Sequence, residues 1–253
     1  MTIAITREVS SRFNDCEITH IDRTPIDLAL ARGQHRDYVN SLLDLGIKVI
    51  ELPEEPDLPD SVFVEDTAVI LPEVAIITRP GADSRKFETD SITRVLAPYR
   101  RLVRITEPAT LDGGDVLVLG RSIFVGLSTR SNHFAVEQIQ ELVGEYGYVS
   151  FGVPLRNCLH LKTAVTQVDE NTVLINKGWL DTHQLRSFNW IEVDPSEPFA
   201  ANCLPINNQI VFPAAFPKTG EGLERHGHKI RLVNVEELAK AEGAVTCCSL
   251  ILE

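Results

Sequence analysis

The chain has 253 residues with a formal net charge of −12, and 43% of its residues are hydrophobic. This composition is typical of a globular protein, and the acidic balance disfavours nucleic acid because phosphate contacts need clustered Lys and Arg. The sequence offers neither an apolar run of the roughly eighteen residues that span a membrane nor the apolar core of a secretory signal. We therefore expect one domain over residues 1–253, located in the cytoplasm, with no membrane or nucleic-acid partner.

Five strand-like runs follow one another along the chain, and each opens with a polar residue. They open at intervals of about 40–50 residues, a spacing typical of repeat architectures, at Asp60, Asp112, His160, Asn202 and Cys247. In the second run, Gly120-Arg121 predicts a two-residue hairpin turn of type II′. Asp169-Glu170-Asn171 takes the same place in the third run. The Pro- and acid-rich residues 51–60, before the first run, are predicted to form a loop.

Helices are predicted between the runs. Ser84 is a candidate cap for a helix that ends at Leu96, and Ser131 or Asn132 is a candidate cap for the next one. Gly147 is predicted to end that second helix. Its apolar residues recur on one helical face, at Val136, Ile139, Val143 and Tyr146. The segment TGEGLERHGHK predicts a further helix from about Thr219.

Five hairpin-and-helix units of this size can close into a ring, which removes exposed sheet edges and collects equivalent positions at a central channel. The five polar residues that open the runs would then lie close together, although they are far apart in sequence. Unrelated strands in an α/β sandwich remain the alternative. The negative field of the chain would attract a cationic small molecule, but acidic surfaces also serve solubility alone.

The chain has five cysteines, an odd number without a CxxC pair. A disulfide framework and a structural zinc site are both disfavoured by this pattern. Cys247 and Cys248 lie in a strand-like run, so their side chains are predicted to point to opposite faces. Only one of the two thiols can then face a central channel, and the pattern leaves open which one.

His160 and Asp112 are weak signals when taken singly. A lone histidine is usually structural, and Asp before Gly-Gly is an ordinary turn. Their combination with the cysteine pair is more specific, because a thiol, an imidazole and a carboxylate together can perform nucleophilic and acid–base catalysis.

Seven motifs in this order and spacing resemble the dimethylarginine dimethylaminohydrolase family of the guanidino-group-modifying superfamily. They are PDSVFVED at 59–66, ITRPGADSR at 77–85, LDGGDVLV at 111–118, VGLSTRSN at 125–132, LHLK at 159–162, AANC at 200–203 and TCCS at 246–249. The resemblance covers essentially the whole chain. It implies a five-bladed α/β propeller that hydrolyses Nω-methylated arginines to citrulline and an alkylamine, with a small-molecule substrate and no metal or organic cofactor.

The resemblance also implies the catalytic residues. Cys247 matches the nucleophile, which forms an S-alkylthiouronium intermediate, and Cys248 matches a neighbour on the other strand face. His160 matches the general acid/base. Asp112 matches the carboxylate that orients His160, where many superfamily members have Glu.

The same resemblance implies the residues that bind the substrate. Asp60 and Asp66 match carboxylates that hold the guanidinium, with Glu65 beside them. Arg85 and Arg130 match a pair that binds the substrate carboxylate.

Two further positions complete the implied site. Ile18 lies where the family has an aliphatic residue on a flexible lid, and Ala241 lies where a backbone carbonyl accepts the substrate amino group. Three alternatives stay open: a hydrolase of another guanidino compound such as arginine, an amidinotransferase, and a catalytically silent arginine-binding protein. The sequence does not fix the oligomeric state, and a homodimer is one state open to it.

Overall fold

The computed structural model describes residues 2–253, and its short strands form five sheets of three strands each. The strands in chain order are β1 Ile3–Arg7, β2 Lys48–Leu52, β3 Ala68–Ile70, β4 Val74–Ile77, β5 Arg101–Arg104, β6 Val116–Leu119, β7 Ser122–Leu127, β8 Val149–Pro154, β9 Val165–Gln167, β10 Thr172–Ile175, β11 Asn189–Glu192, β12 Leu204–Ile206, β13 Gln209–Pro213, β14 Ile230–Val233 and β15 Leu250–Leu252.

The helices connect the strands of each sheet or lie between sheets. The α-helices are α1 Leu28–Asp44, α2 Glu88–Leu96, α3 His133–Val143, α4 Leu161–Ala164, α5 Pro217–Arg225 and α6 Glu236–Ala239. The 3-10 helices are Phe13–Asp15, Val64–Thr67, Asp83–Arg85, Gly113–Asp115, Gly144–Tyr146 and His183–Leu185. Within residues 2–253, none of the helices combines the length and the apolar character that crossing a bilayer requires.

All five sheets share one strand pattern. The middle strand pairs antiparallel with one neighbour and parallel with the other, as β7 does with β6 and β8. Four sheets use consecutive strands, but the fifth joins the C-terminal β15 to β1 and β2. The two ends of the described chain therefore meet in one sheet, with Ile3 opposite Leu252, and close the ring. The five-bladed α/β propeller is confirmed.

The middle strands are covered on both faces, and this explains their continuous apolar sequences. All four residues of β4, VAII, are buried. Helix α3 contributes Ala135, Ile139 and Val143 to the neighbouring core, where they pack with Ile123 of β7. The apolar face predicted for this helix is confirmed at Ile139 and Val143.

The predicted turn and helix boundaries are partly confirmed. Gly120 has a φ of +59° between β6 and β7, as the hairpin turn requires. Asn132 caps α3 by accepting the Ala135 N–H, but the α-helix ends at Val143 because the 3-10 turn Gly144–Tyr146 intervenes before Gly147. The prediction that Ser84 caps α2 is wrong.

A separate turn explains the displaced start of α2. Residues 83–85 form the 3-10 helix that carries Arg85, and α2 begins only at Glu88. Arg85 and Glu88 are both buried and hydrogen-bonded to each other. The 3-10 helix followed by the later start of α2 places this charged pair in the protein interior.

The five polar residues lie in the segments before the inner strands, which are β3, β6, β9, β12 and β15, and not at the first positions of these strands. Asp60 is followed by the 3-10 helix Val64–Thr67, and β3 starts only at Ala68. Cys247 and Cys248 likewise lie in a turn before β15, so the strand alternation predicted for them is wrong. The turn still separates the two thiols, because Cys247 is partly exposed and Cys248 is fully buried.

Candidate functional site

A narrow cavity lies among the segments that precede the inner strands. Among its lining residues are seven of the predicted site residues, namely Asp60, Asp66, Arg85, Arg130, His160, Ala241 and Cys247. Its volume is about 20 Å³, which is room for about one water molecule. A ligand of amino-acid size therefore enters only when the chain that covers the cavity moves.

The His160 ring forms a hydrogen bond with Asp112, a carboxylate with no exposed surface. The Asp112 Oδ2 atom lies 3.2 Å from Nε2 of His160, while its Oδ1 atom accepts the Gly81 N–H at 2.8 Å. The other ring nitrogen, Nδ1, lies 3.9 Å from Oδ1 of Asp66. Gly114 allows this approach, because a Cβ there would lie 2.7 Å from His160 Nδ1.

Three carboxylates determine the protonation of His160. Burial alone would lower its pKa, but Asp66, Asp115 and Asp112 outweigh burial and raise the pKa to about 9. At neutral pH the ring is therefore an imidazolium, which can give a proton but cannot accept one. Asp66 is affected in return: burial would raise its pKa, but His160 and Arg85 lower it to about 2.

Cys247 has the opposite electrostatic setting. Burial raises the pKa of its thiol well above the usual value, and the carboxylates of Glu65 and Asp66 raise it further. The resting thiol is thus protonated and a weak nucleophile. A cation placed between Cys247 and Asp66 would reverse this effect, because a positive charge stabilises the thiolate.

Arg85 makes many contacts with its surroundings. Its Nε and Nη2 atoms donate to the two oxygens of Glu88 at 3.1 and 2.8 Å, and Nη1 donates to Asp66 at 2.6 Å. Nη2 also approaches the backbone carbonyls of Asp60 and Phe63. Most donors of the guanidinium are therefore engaged within the protein, and few remain for a ligand.

Arg130 is much less constrained. Its Nη2 atom donates to the Thr19 hydroxyl at 3.1 Å, and its Nη1 atom lies 4.0 Å from Asp112. Thr19 belongs to residues 17–26, the segment that covers the cavity. Movement of that segment would free Arg130 to bind an anionic group. Of the two arginines, Arg130 is therefore the one placed to bind a ligand, whereas Arg85 is held in a buried ion pair.

The covering segment, residues 17–26, contributes Glu17 to the cavity lining and is held by two carboxylates that also line the cavity. The Glu17 N–H lies 3.2 and 3.1 Å from the two oxygens of Asp60. The Glu242 carboxylate accepts the N–H groups of Thr19 and His20 at 2.7 and 2.8 Å. Burial raises the pKa of Asp60. A substrate amino group at Asp60 would compete with the Glu17 N–H.

Three predicted site residues do not line the cavity, namely Asp112, which is bonded to His160, and Glu65 and Ile18. Glu65 faces the opposite side, where Lys162 Nζ and the Thr246 hydroxyl donate to its oxygens at 2.6 and 2.8 Å. The backbone N–H of Glu65 donates to the Cys247 carbonyl at 3.2 Å, so Glu65 contacts the turn that carries the cysteine although its side chain does not line the cavity. Ile18 is partly buried against the same apolar cluster as Cys247, beside the cavity.

Four residues that contact the site were not identified from the sequence. Glu88 pairs with Arg85, Lys162 pairs with Glu65, Glu242 fastens the covering segment, and Asp115 is buried near His160. Asp115 and Lys162 stand inside the recognised motifs LDGGDVLV and LHLK, so motif context could have found them. Glu242 has a φ of +60° before Gly243, a conformation that a sequence does not reveal in a glutamate.

The cluster of Asp66, Asp112 and His160 has the spacing of a cation site, with one ligand atom of each within 4.8 Å of the others. Its charges favour an ion-pair network. Arg85 donates to Asp66, Arg130 lies near Asp112, and His160 is itself protonated at neutral pH. A divalent cation here would have to displace these positive charges.

Comparison with known protein families places the chain clearly. The family described as N,N dimethylarginine dimethylhydrolase, eukaryotic, matches residues 14–249. An N(G),N(G)-dimethylarginine dimethylaminohydrolase of Streptomyces coelicolor is 38% identical over 250 residues, covering 98% of this chain and 96% of the relative. The Pseudomonas aeruginosa protein of the same name is 34% identical over 226 residues, covering 88% and 89%.

Solved structures agree with this result. A variant of the Pseudomonas aeruginosa enzyme in complex with citrulline superimposes with a TM-score of 0.94 at 31% identity, covering 99% of this chain and 98% of that one. A histidine-to-glycine variant of a dimethylarginine dimethylaminohydrolase, solved as an adduct with S-methyl-L-thiocitrulline, gives a TM-score of 0.94 at 32% identity, covering 99% of each chain.

Proposed function

Because this chain belongs to the dimethylarginine dimethylaminohydrolase family, we propose that it hydrolyses asymmetric dimethylarginine and monomethylarginine to citrulline and an alkylamine. Cys247 is the nucleophile, His160 the general acid and base, and Asp112 the carboxylate that orients His160. The observation that carries the proposal is the meeting of Cys247 and His160 in one cavity, with Asp112 bonded to the imidazole at 3.2 Å.

The first step uses the charge of the substrate. A guanidinium held by Asp66 places a cation beside Cys247. That cation lowers the pKa of the thiol, so the thiolate forms where it is needed. His160 cannot take this proton as an imidazolium, and solvent receives it. The thiolate then attacks the guanidino carbon and gives a tetrahedral adduct.

Collapse of the adduct requires a proton, because a neutral amine leaves far more readily than its anion. His160 supplies it, since its pKa of about 9 keeps it protonated at neutral pH. Loss of the alkylamine leaves an S-alkylthiouronium on Cys247. His160 is now neutral and activates water against this intermediate, which releases citrulline and restores the imidazolium. Asp112 stabilises the charged form of the ring throughout.

Substrate binding follows from the charges around the cavity. Arg130 pairs with the substrate carboxylate. Arg85 adds to the positive charge that binds this carboxylate, and it also anchors Asp66. The Ala241 carbonyl receives the substrate amino group. The resemblance groups Asp60 with Asp66 as a guanidinium ligand, but we assign Asp60 to the amino group instead, because Asp66 lies beside His160 whereas Asp60 accepts the N–H of Glu17. The covering segment around Ile18 opens for entry, which breaks the contacts between Glu242 and the backbone of residues 19 and 20.

A panel of guanidino compounds tests this function. Asymmetric dimethylarginine, monomethylarginine and arginine are each incubated with the protein, and citrulline, alkylamine and ammonia are measured. We expect equimolar citrulline and alkylamine from the methylated compounds, at a higher kcat/KM than for ammonia release from arginine. Faster ammonia release from arginine would assign a deiminase instead, and amidino transfer to an added amine would assign an amidinotransferase.

We also propose that residues 1–253 act as one catalytic domain in the cytoplasm. Closure of the ring by β1 and β15 in one sheet supports a single unit. The five free cysteines support a reducing compartment. A homodimer remains a prediction that sedimentation velocity can test.

A further inference from the structure

One buried carboxylate beside the candidate site touches neither the substrate nor a reacting atom in the chemistry proposed above, although its charge helps to raise the pKa of His160. Asp115 closes the Gly113–Asp115 turn and has no exposed surface. Its Oδ1 atom accepts the N–H of Leu161, the residue directly after His160, at 3.0 Å. Its Oδ2 atom accepts the hydroxyl of Ser128 at 2.6 Å. The two oxygens thus bind two different segments of the chain.

Ser128 extends this connection to Arg130. The Ser128 hydroxyl oxygen accepts the backbone N–H groups of Arg130 and Ser131 at 3.0 and 3.1 Å. The Ser131 hydroxyl oxygen accepts the N–H of Asp112 at 3.0 Å. Through Ser128, the Asp115 carboxylate fixes the turn that presents Arg130, and through Leu161 it fixes the backbone that presents His160.

The fold makes room for this carboxylate. A Cβ at Gly126 would lie 2.5 Å from Oδ1 of Asp115, 2.8 Å from Leu155 and 3.0 Å from Leu161. Glycine is therefore required at this position by close approach. Any side chain there would push the carboxylate away from the two donors that it joins.

The burial of the Asp115 carboxylate also carries a cost in folding free energy. Burial raises its pKa to about 6, although His160 and Ser128 oppose that rise. Within residues 2–253 it forms no salt bridge with Lys or Arg. Burying a carboxylate without such a partner costs several kcal/mol by order of magnitude, which the two hydrogen bonds and the charge of His160 offset only in part. Local rules of this kind are typically broken at functional sites.

We propose that Asp115 is a positioning residue that sets the distance between the two halves of the site, the general acid/base His160 and the carboxylate-binding Arg130. The inference rests on the proposed function and deepens it, because it explains how chemistry at one end of the substrate is aligned with recognition at the other. Asp115 itself touches no reacting atom, and it acts through Leu161 and Ser128.

Two variants separate the two connections. Ser128→Ala cuts the link to the turn that carries Arg130 and Ser131 but keeps the bond between Asp115 and Leu161. KM for asymmetric dimethylarginine should therefore rise about 5- to 10-fold, the loss of one or two hydrogen bonds, while kcat stays within about 2-fold. Asp115→Asn keeps the shape but can accept only one of the two donors. Its kcat should fall about 10- to 100-fold, because misplacing a catalytic group by about 1 Å has effects of this size, and its KM should rise as well.

Glu197 provides a matched control. Its carboxylate is also buried, and it accepts the N–H groups of Lys218 and Thr219 at 3.0 and 2.8 Å at the start of α5, outside the site. Glu197→Gln should lower the melting temperature, as Asp115→Asn does, but leave both kinetic constants unchanged. A purely structural role for Asp115 would make the two variants behave alike.

The outcomes are distinct for each claim. If the unmodified protein releases no alkylamine, the proposed function fails before any variant is compared. If the unmodified protein is active and Ser128→Ala changes neither KM nor kcat beyond the Glu197→Gln control, the positioning role of Asp115 is overturned. Ser128→Ala decides this even if Asp115→Asn does not fold, because it leaves the buried carboxylate in place.

Discussion

The two arginines of the site should fail in different ways when each is replaced by Ala. Arg85 and Arg130 are both predicted to bind the substrate carboxylate, but their surroundings differ. Arg85 donates three hydrogen bonds to Glu88 and Asp66, whereas Arg130 donates one to a neutral hydroxyl. The substitutions therefore remove quite different sets of interactions.

Arg85→Ala removes the cation that pairs with two buried carboxylates, so that Glu88 loses its partner and Asp66 keeps only His160. Breaking one partner out of a buried ion pair costs about 3–5 kcal/mol, and we expect the free energy of unfolding to fall by about this amount. Arg130→Ala loses one hydrogen bond from the guanidinium to a hydroxyl and the 4.0 Å contact with Asp112, so its unfolding free energy should fall by about 2 kcal/mol. Its KM should instead rise about 30-fold, since hydrogen bonds to a charged group contribute about 2 kcal/mol to binding.

The effect of Arg85→Ala should also depend on pH. Burial raises the pKa of Glu88 to about 7, and Arg85 opposes that rise. Without Arg85 the pKa of Glu88 rises further above its unfolded value, so the folded state binds the extra proton. Stability contributed by a raised pKa is lost as pH increases, and the deficit of Arg85→Ala should grow between pH 5 and pH 8.

Urea unfolding at both pH values and steady-state kinetics measure these effects. Arg121→Ala is the matched control, because Arg121 pairs with Glu73 on the surface at 2.7 Å and exposed pairs contribute about 0–1 kcal/mol. If Arg85→Ala is as stable as this control and its KM rises as much as in Arg130→Ala, Arg85 is a substrate ligand and the reasoning from its buried partners is wrong.

Three further predictions concern the chemistry. Cys247→Ser should abolish turnover while Cys248→Ser keeps most of it, because only Cys247 lines the cavity; rates measured on folded variants check this, and the reverse pattern would assign the other thiol. His160→Gly should be nearly inert toward methylated arginine yet form a lasting adduct with S-methyl-L-thiocitrulline, whose thiol departs without a proton. Mass spectrometry would show the added mass, and its absence would mean that His160 generates the thiolate. Because carboxylates raise the pKa of His160 to about 9, single-turnover amine release should fall as pH rises through about 9. A midpoint near 6.5 would show that these carboxylates have no such effect.

The ring follows from the sequence because it depends on a repeated local pattern, whereas the roles of the individual site residues come from the resemblance of seven motifs to a known family. Polar residues recur before each inner strand, and ring closure brings them together whatever the chain does between them. The strand alternation predicted for Cys247 and Cys248 is wrong, because polar turns precede the strands here. A turn also directs successive side chains apart, so Cys247 lines the cavity and is partly exposed whereas Cys248 is fully buried.

Contacts between distant segments could not be predicted in this way. Glu65 and Asp66 are adjacent, but they lie in a 3-10 helix with about three residues per turn, so only Asp66 faces the cavity. Glu242 reaches the covering segment across 223 positions of the chain. No local pattern encodes that contact, since it depends on how the first and last segments of the ring pack together.

Acid-quenched mass spectrometry of the protein during turnover tests the central claim most directly. Asymmetric dimethylarginine is mixed with excess protein, the reaction is stopped in acid within milliseconds to seconds, and the digested peptides are mapped. The account predicts a thiouronium adduct on Cys247, formed as dimethylamine is released and lost as citrulline appears, and no adduct in Cys247→Ser. Turnover without an adduct on Cys247, or an adduct on Cys248, would contradict it.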